Sequence, residues 1–204
     1  MRMWNYKKVN KQKKVIDELE IVKGNHADYE KLKKFHYINR TIPSAKKIIY
    51  ALKHKNILYG VIVYSPPSLE LIARNRTHIG KAMKKGYPIK VDRYKFLNRN
   101  FIYISRIIIH PSLRGIGAAN YLIENTWRLM GKRFVEGMGA MLWYRNFFPK
   151  SYSYYMKVEI QLDDNSFFVQ RAKQPKGTSI KRLKTPVQKY GYVLYINDKI
   201  KPKY

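Results

Sequence analysis

The stretch FIYISRIIIHPSLRGIGAAN, residues 101–120, joins the most apolar run of the chain to a turn that contains two glycines. Residues 101–110 are nearly continuous in apolar side chains, which is typical of a central strand covered on both faces. Residues 115–131 carry apolar side chains at helical spacing, and Gly131 gives this helix a C-terminal stop. The sequence therefore predicts a strand, a glycine turn and a helix in succession.

The predicted turn has the composition of an anion-binding site. The first N–H groups of a helix lack internal partners and carry partial positive charge. Gly115 and Gly117 would let a ligand approach the backbone, Ala118 and Ala119 keep the surface shallow, and Arg114 adds a cation. The stretch lacks the Lys-Ser/Thr of a nucleotide P-loop and the GxGxxG spacing of a dinucleotide fold. The alternative is a turn that only packs a helix closely on a sheet.

The remaining pattern predicts one mixed α/β domain over residues 15–204, with a mixed sheet flanked by helices. Strands are predicted at 15–24, in a hairpin over 46–65 with the polar HKN at 54–56, and at 133–141, 157–162 and 190–196. Short helices are predicted at 25–34, capped by Asn25 or Asp28, and at 142–151. Three basic segments are set apart from this core: an N-terminal arm at 1–14, an insertion at 68–100 and a C-terminal segment at 171–189.

The charge balance indicates a polyanionic partner. The 204 residues include 42 Lys and Arg against 13 Asp and Glu, a formal net charge of +29. A nucleic acid is the first candidate for that partner, with DNA favoured over RNA, and an anionic membrane surface is the second. A lysine-rich genome is the alternative explanation of the charge.

Other composition features exclude several classes of protein. The absence of cysteine excludes a disulfide framework and a thiolate metal site, and no metal is predicted. No apolar run is long enough to cross a bilayer, and no signal-peptide segment follows the basic start. We therefore expect a cytoplasmic protein, in the host cytoplasm if a phage encodes it, without membrane association. The sequence leaves the oligomeric state open.

Basic and aromatic side chains are mixed in the insertion, where Tyr87, Tyr94 and Phe96 lie among lysines and arginines. This mixture suits contacts with a nucleic-acid backbone together with base stacking. The alternative is a solvated loop whose aromatic side chains pack back on the core. The predicted nucleic-acid-binding residues are Arg74, Arg76, Lys81, Lys84, Lys85, Arg93, Lys95, Arg99, Arg171, Lys181 and Arg182.

Arg114, Gly117 and Ala119, preceded by RIIIHP, form a spacing that resembles the pyrophosphate-binding signature of the GNAT acyltransferases. The resemblance implies a GNAT-like fold, and acetyl-CoA or another CoA thioester as the donor. It further implies a strand 103–109 that separates from its neighbour and a turn from Leu113 to Asn120 that holds the pyrophosphate. RNFFPKS (145–151) resembles the fourth helix of that family, although the expected glycine is missing. The implied cofactor-binding residues are Ile107, Ile108, Ile109, Leu113, Arg114, Gly115, Ile116, Gly117, Ala118, Ala119 and Asn146.

A narrower resemblance rests on the order of four segments: KFHYI (34–38), YGVIVYSPP (59–67), ISRIIIHP (104–111) and YRNFF (144–148). This order is similar to a GNAT-like branch fused to ABC-type ATPases in archaea and, more loosely, to the phage Mom proteins, which modify adenine in DNA. The similarity covers residues 15–160. It implies a nucleobase amine as the acceptor, which an enzyme must take out of the base stack.

Acyl transfer to an amine needs a base for the amine proton and an acid for the departing thiolate. His36 titrates near neutrality and is the candidate base, while Tyr37, Tyr144 or Tyr154 could protonate the thiolate. Ser105 could orient the acceptor or a water. Each of these residues alone is also compatible with a purely structural role.

The leading hypothesis is thus a GNAT-fold transferase that modifies a nucleic acid, as a DNA adenine modification enzyme of the Mom type. One alternative is an N-acetyltransferase acting on a protein or a small amine. Another is a GNAT-like nucleic-acid-binding protein without catalysis.

Overall fold

The computed structural model describes residues 15–36, 46–84, 92–144, 148–161 and 187–203. The predicted basic arm at 1–14 and most of the basic segment at 171–189 lie outside these ranges. So do six of the predicted site residues, which are Tyr37, Lys85, Asn146, Arg171, Lys181 and Arg182. Within the described ranges, no helix is long and apolar enough to cross a membrane.

A single mixed sheet organises the described part of the chain. It contains seven strands in the order β1-β2-β3-β4-β5-β7-β6. All neighbouring strands are antiparallel except β4 and β5, which are parallel. The strands are β1 Glu20–Gly24, β2 Ile48–His54, β3 Ile57–Ser65, β4 Phe101–Ile109, β5 Phe134–Gly139, β6 Tyr154–Gln161 and β7 Val187–Ile196.

Helices cover both faces of this sheet, so the predicted mixed α/β fold class is confirmed. They are α1 His26–Leu32, α2 Ile72–Arg76, α3 His78–Lys84, α4 Arg93–Asn100, α5 Ala118–Thr126 and α6 Met141–Tyr144. Side chains alternate between faces along a strand. Ile62 and Tyr64 of β3 belong to the cluster under α5, whereas Val61 and Val63 belong to the cluster under α1. The segment α2–α4 lies over β4, β5 and β7 through a third cluster.

The predicted hairpin at 46–65 is confirmed. Its turn consists of Lys55 and Asn56, whose φ values are 47° and 67°. Two consecutive residues with positive φ are typical of the tight turns that match the twist of antiparallel strands. His54, predicted as part of the turn, is the last residue of β2.

The first predicted strand is only half correct. Residues 15–17 are helical, and β1 begins at Glu20. Asp17 and Glu18 are residue types that strands disfavour, which is consistent with the late start. The helix predicted after this strand is confirmed. Asn25 is its N-cap, and the Asn25 and Asp28 side chains accept from each other's backbone N–H, forming a capping box.

The quoted stretch folds largely as predicted. β4 is central, and Gly131 (φ 59°) follows the short 3-10 turn that ends the helical segment. α5 begins at Ala118 and not at Gly115, because Gly115 and Gly117 have φ values of 83° and 96°, outside the helical region. β6 and β7 each begin three residues before their predicted starts, at Tyr154 and Val187.

Residues 68–100 were predicted as a basic insertion that contacts nucleic acid or packs its aromatic side chains on the core, and Phe96 does pack on the core. The described part forms α2, α3 and α4, and four apolar side chains of this segment are buried against the sheet: Leu71, Ala73, Phe96 and Leu97. The basic side chains obscured this pattern, because the helices are too short to show several turns of apolar periodicity.

Candidate functional site

The parallel strands β4 and β5 separate near the middle of the sheet. Their pairing ends at Ile104, which lies opposite Gly137. β4 nevertheless continues to Ile109, and beyond Ile104 it pairs only with β3 among the described strands. β5 also continues for two residues, paired with β7. The predicted separation is therefore confirmed for residues 105–109, whereas Tyr103 and Ile104 still pair with Glu136 and Gly137. We call the space between the separated parts of β4 and β5 the cleft.

A β-bulge lies where this cleft begins. Val63 of β3 is opposite Arg106, and the following Tyr64 is opposite Ile104, so Ser105 is an extra residue on β4. The Ser105 hydroxyl donates to the carbonyl oxygen of Val63 over 3.0 Å. Its own oxygen keeps lone pairs that can accept a hydrogen bond from an amine or a water. Ser105 therefore lies one residue beyond the last β4–β5 pair, with its hydroxyl bonded to β3.

Arg106 brings a guanidinium to the same bulge. Its Nη1 donates to the carbonyl oxygen of Ser105 over 2.7 Å. Its Nε is buried and has no hydrogen-bond partner in the part of the chain that the structure describes. A buried donor without an acceptor is unfavourable, so a carbonyl or anionic group of a ligand would satisfy it.

The cleft side of β4 leads into the glycine turn. A short 3-10 turn at Pro111–Leu113 is followed by Arg114, and Gly115 and Gly117 adopt positive φ. A Cβ built on Gly115 would meet no atom within 4 Å, and one on Gly117 would meet only the Ile16 side chain, at 3.7 Å. Among the described residues, no side chain fills the space beside these two glycines, and we call the turn open in this sense.

Backbone N–H groups line this open turn. The described backbone bonds here use the N–H groups of Leu113, Arg114 and Tyr121, the last of which donates to Gly117. The N–H groups of residues 115–120 donate to no backbone carbonyl in the described ranges. Together with the N-terminal dipole of α5, they form an arrangement that favours phosphate oxygens.

Arg114 fixes the turn to two other segments. Its Nε donates to the carbonyl oxygen of Ile109 over 3.0 Å, and its Nη2 donates to that of Phe35 over 2.7 Å. The Phe35 ring also contacts the His110 ring edge-on, with centroids 4.8 Å apart. The end of the α1 segment is thereby held against the end of β4.

The other predicted cofactor residues contribute in different ways. Ile108 and Ile109 are buried, and Ile107 packs against the α5 core. Leu113, Ile116 and Ala119 also pack against that core, and Ala118 belongs to it. These side chains position the turn, so a ligand would contact backbone atoms here and not the side chains themselves.

The candidate base His36 lies at the end of the segment held by Arg114. It follows a short 3-10 turn at Lys33–Phe35, and its backbone N–H donates to Lys33 over 3.0 Å. Because the adjacent Phe35 contacts Arg114 and His110, the fold brings His36 to the same end of β4 as the glycine turn.

The candidate acids Tyr144 and Tyr154 lie in different surroundings. Tyr144 ends α6, which follows β5, and its side chain is 77% exposed. Tyr154 begins β6, which β7 separates from β5, and its ring contacts His78 of α3 edge-on. The structure therefore does not bring Tyr154 to the cleft.

A tyrosine that the sequence analysis did not select lies closer to the cleft. Tyr103 precedes the last paired residue of β4, and its hydroxyl donates to the carbonyl oxygen of Met138 over 3.2 Å. Met138 belongs to the part of β5 that has left β4. Only the strand pairing reveals this position, since Tyr103 is one of 18 tyrosines in the chain.

The predicted nucleic-acid-binding residues divide into exposed and bonded groups. Arg76, Lys81, Lys95 and Arg99 are exposed, and Lys84 ends α3. Arg93 is held by Glu70, Asn75 and the carbonyl oxygen of Leu69.

The prediction that Arg74 binds nucleic acid is wrong, because its side chain is fully buried and cannot reach a nucleic acid in this structure. Its Nε and Nη2 donate to the carboxylate of Glu136, which is also fully buried. Further donations to the carbonyl oxygens of Ser68 and Leu69 complete its bonding. The Tyr192 hydroxyl donates to the same Glu136 carboxylate over 3.0 Å. Arg74 thus attaches the insertion to β5 and β7.

Comparisons with known proteins give structural similarity only. No model of a known protein family matches the sequence, and no curated protein matches it. The IAA acetyltransferase from Bacillus cereus is 12% identical, with 88% of this chain and 99% of that chain covered and a TM-score of 0.48. A GNAT family acetyltransferase from Elizabethkingia anophelis, solved with acetyl-CoA, is 10% identical, with 89% and 99% covered and a TM-score of 0.46.

The spermidine/spermine N-acetyltransferase from Vibrio cholerae is 12% identical, with 88% of this chain and 94% of that chain covered and a TM-score of 0.43. At these identities the similarity concerns the fold alone. An activity must therefore be argued from the geometry of the cleft and the charge of the chain.

Proposed function

We propose that this chain is an acyltransferase that takes an acyl group from a CoA thioester, with acetyl-CoA as the default donor, and delivers it to an amine. The observation that carries the proposal is the cleft where β4 leaves β5, which leads directly into an open glycine turn. A cleft of this kind offers unpaired backbone groups along one side and a phosphate-binding turn at its end.

The residues of the turn fit a diphosphate. The N–H groups of residues 115–120 and the α5 dipole supply donors and positive potential. Arg114 uses two of its five N–H groups on carbonyl oxygens, so three remain for an anion. The β4 backbone from Ser105 to Ile109 would pair with the amide groups of the pantetheine arm.

The bound thioester would supply an activated acyl group, and the chain's own residues would manage the protons. His36 is the proposed base for the acceptor amine, since the Phe35–Arg114 bond holds its segment against the end of β4. Ser105 would orient the amine through its hydroxyl oxygen. Tyr103 joins Tyr37 and Tyr144 as a candidate proton donor to the thiolate, because its hydroxyl already lies across the opening.

The charge of the chain supports an acceptor on a polyanion. A net charge of +29 attracts nucleic acid and repels cationic polyamines. We therefore propose a nucleobase amine, with adenine in DNA as the first candidate, in line with the resemblance to the Mom proteins. An acceptor amine on a protein or a small molecule is the alternative, and the sheet geometry is equally compatible with it.

Product analysis tests both parts of the proposal. The purified chain is incubated with acetyl-CoA in four parallel reactions. Each reaction contains one kind of acceptor: single-stranded DNA, RNA, a protein mixture or small amines. Thiol release is then measured, and mass spectrometry of the nucleosides, the proteins and the small amines identifies the acetylated product. We expect an acetylated deoxyadenosine in the DNA reaction, its loss in His36→Ala, and its retention in His26→Ala, which removes an exposed histidine of α1.

The possible outcomes of this experiment test the acyltransferase activity and the nucleobase acceptor separately. Acetylated protein or small amine with unchanged nucleosides would overturn the nucleobase acceptor and leave the acyltransferase. Salt-sensitive nucleic-acid binding that survives His36→Ala, without thiol release for any acceptor, would overturn the enzyme and favour a binding protein.

A further inference from the structure

A second concave site lies at the other end of β4. Its volume is about 650 Å³, which is within the range of ligand pockets and larger than a phosphate ion needs. The start of β2, the end of β3 and the start of β4 surround it, and Ile102 of β4 is one of its lining residues. Ile102 lies three residues before Ser105, which corresponds to about 10 Å along the strand. The cavity is thus separate from the glycine turn but close to the start of the cleft.

The charged lining of this cavity is entirely basic. Lys46, Lys47 and Lys132 line it, and none of its described lining residues carries a carboxylate. Lys132 donates to the carbonyl oxygens of Asn98 and Arg99 over 2.7 and 3.1 Å, which leaves one of its three N–H groups for a ligand. Partial burial and the nearby Lys203 lower the pKa of Lys132. An anion in the cavity would offset the burial of this charge.

The remaining wall of the cavity is mostly apolar. Ile48, Pro66 and Pro67 line its side, and Ile48 is 38% exposed although it is apolar. The buried side chains of Tyr64 and Phe101 also line it. Lysines beside an apolar wall suit a ligand that combines an anionic group with a flat apolar group. A phosphate ion alone would leave the apolar wall in contact with water.

We propose that this lysine pocket binds one nucleotide unit, with the phosphate at the lysines and the base against the Ile48–Pro66–Pro67 wall. The unit could belong to a nucleic-acid strand or to a free nucleotide, which share this chemistry. In the first case the pocket would hold the strand about 10 Å from the start of the cleft. This inference rests on the nucleic-acid acceptor of the proposed function and adds a place where that acceptor is held.

Methyl NMR tests the pocket independently of catalysis. The chain is labelled at its isoleucine δ1-methyl groups and titrated with a short single-stranded thymidylate oligonucleotide, with thymidine monophosphate and, as a cleft probe, with acetyl-CoA. We expect the oligonucleotide to shift the Ile48 and Ile102 methyl signals and acetyl-CoA to shift Ile107. A shift of Ile48 and Ile102 by thymidine monophosphate as well would identify a free nucleotide as a sufficient ligand, and a shift by the oligonucleotide alone would identify a strand.

Two double variants supply the matched comparison. Lys46→Gln with Lys47→Gln removes two charges from the pocket, and Lys23→Gln with Lys31→Gln removes two exposed charges from β1 and α1. The pocket variant should weaken oligonucleotide binding by about tenfold or more, because two charge-assisted contacts are lost. It should also reduce the slope of log affinity against log salt by roughly 0.7, the contribution of the one single-strand phosphate that the pocket holds. The control variant should change the affinity and the salt slope by much less.

The proposal is overturned if neither nucleotide probe moves Ile48 and Ile102, or if both double variants weaken binding equally. The first result would leave the acyltransferase proposal intact, because the acetyl-CoA shift of Ile107 reports separately on the cleft.

Discussion

Arg74 and Glu136 form an ion pair from which water is excluded, with Nε donating to Oε2 over 2.9 Å. Burial raises the pKa of Glu136, while the hydrogen bonds from Arg74 and Tyr192 act in the opposite direction. Two buried charges cost desolvation energy, and their mutual attraction offsets that cost only while both are present. The pair therefore holds the insertion in one place on the sheet and contributes little net stability compared with apolar side chains of the same size.

Replacing one member of this pair should lower the free energy of unfolding much more than replacing both. Glu136→Gln leaves the Arg74 charge buried without its counter-ion, and we expect a loss of about 3–5 kcal/mol in the free energy of unfolding. The double variant Glu136→Leu with Arg74→Met should recover much of that loss. Urea denaturation measures both. A single variant as stable as the double variant would contradict the buried charge pair.

The Asn25 cap offers a second test at the level of one side chain. Asn25→Ala removes the acceptor of the Asp28 N–H, and it should lower the free energy of unfolding by about 1 kcal/mol. Asn25→Gly should cost only a few tenths of a kcal/mol, because glycine is tolerated at this position. The same denaturation experiment checks both variants, and equal losses in the two would argue against the capping box.

Individual residues also show what sequence patterns can and cannot predict. Gly115 and Gly117 predicted a turn between the strand and the helix, and the structure contains it. This prediction was possible because glycine conformation and helix-end chemistry are local. The bond from Arg114 to the carbonyl of Phe35 joins residues 79 positions apart, and no local pattern indicates it. The burial of Arg74 was missed for the same reason, since Glu136 is 62 positions away.

At the scale of elements, α6 lies directly against β7. A Cβ at Gly191 would lie within 2.6–2.7 Å of the carbonyl carbon and oxygen of Leu142. Tyr155 supports the same contact, because its hydroxyl donates to the Leu142 carbonyl oxygen over 2.8 Å. Gly191 is therefore the residue that lets the segment after β5 cross the sheet closely.

Gly191→Ala should displace α6 and lower the free energy of unfolding by about 1–3 kcal/mol, the usual cost of overpacking. Gly139→Ala is the matched control. Gly139 pairs with Gly191 across the sheet, but its Cβ would meet only the Leu142 side chain, at 3.9 Å. Thermal denaturation compares the two variants, and equal stability would show that α6 does not depend on Gly191.

The elements with strong periodicity and the capped helix α1 were predictable from the sequence, whereas α2 and α3 were not. β4, the hairpin and α5 have runs long enough for apolar spacing to identify them. Helices α2 and α3 span only 5 and 7 residues, and their basic side chains dominate the composition. The separation of β4 from β5 was expected only through the GNAT resemblance, since neither strand's own sequence marks where pairing ends.

At the scale of the whole molecule, three buried tyrosines belong to the hydrophobic clusters on the two faces of the sheet. Tyr64, Tyr192 and Tyr195 are each fully buried. Burial raises the pKa of all three hydroxyls above the ordinary value of 10.0, because the charged phenolate loses its hydration. The neutral form is therefore strongly favoured in the folded state.

This shift predicts loss of stability in alkali. Below about pH 10 the three hydroxyls are neutral in both the folded and the unfolded chain, and stability is complete. Above that pH the unfolded chain releases these protons while the folded chain keeps them, so the free energy of unfolding falls as pH rises. Tyrosinate absorbance and circular dichroism should show that these three groups ionise together with unfolding. Their ionisation in a still-folded chain would contradict the burial.

Whole-chain topology was the part least accessible to sequence. The strand order places β7 between β5 and β6, and this order depends on long-range pairing that local patterns do not encode. The net charge of +29, in contrast, was available at once, and it remains the main support for a polyanionic acceptor.

Calorimetric titration with acetyl-CoA tests most directly whether the glycine turn and the adjoining cleft hold a CoA thioester. Gly117→Glu places bulk, strain and negative charge over the N–H groups of the turn, and it should abolish binding. Gly131→Glu introduces the same change at another glycine with positive φ and open space, at the opposite end of the α5 segment, and it should bind as the unchanged chain does. Full affinity in Gly117→Glu, or no binding by the unchanged chain, would contradict the proposed site.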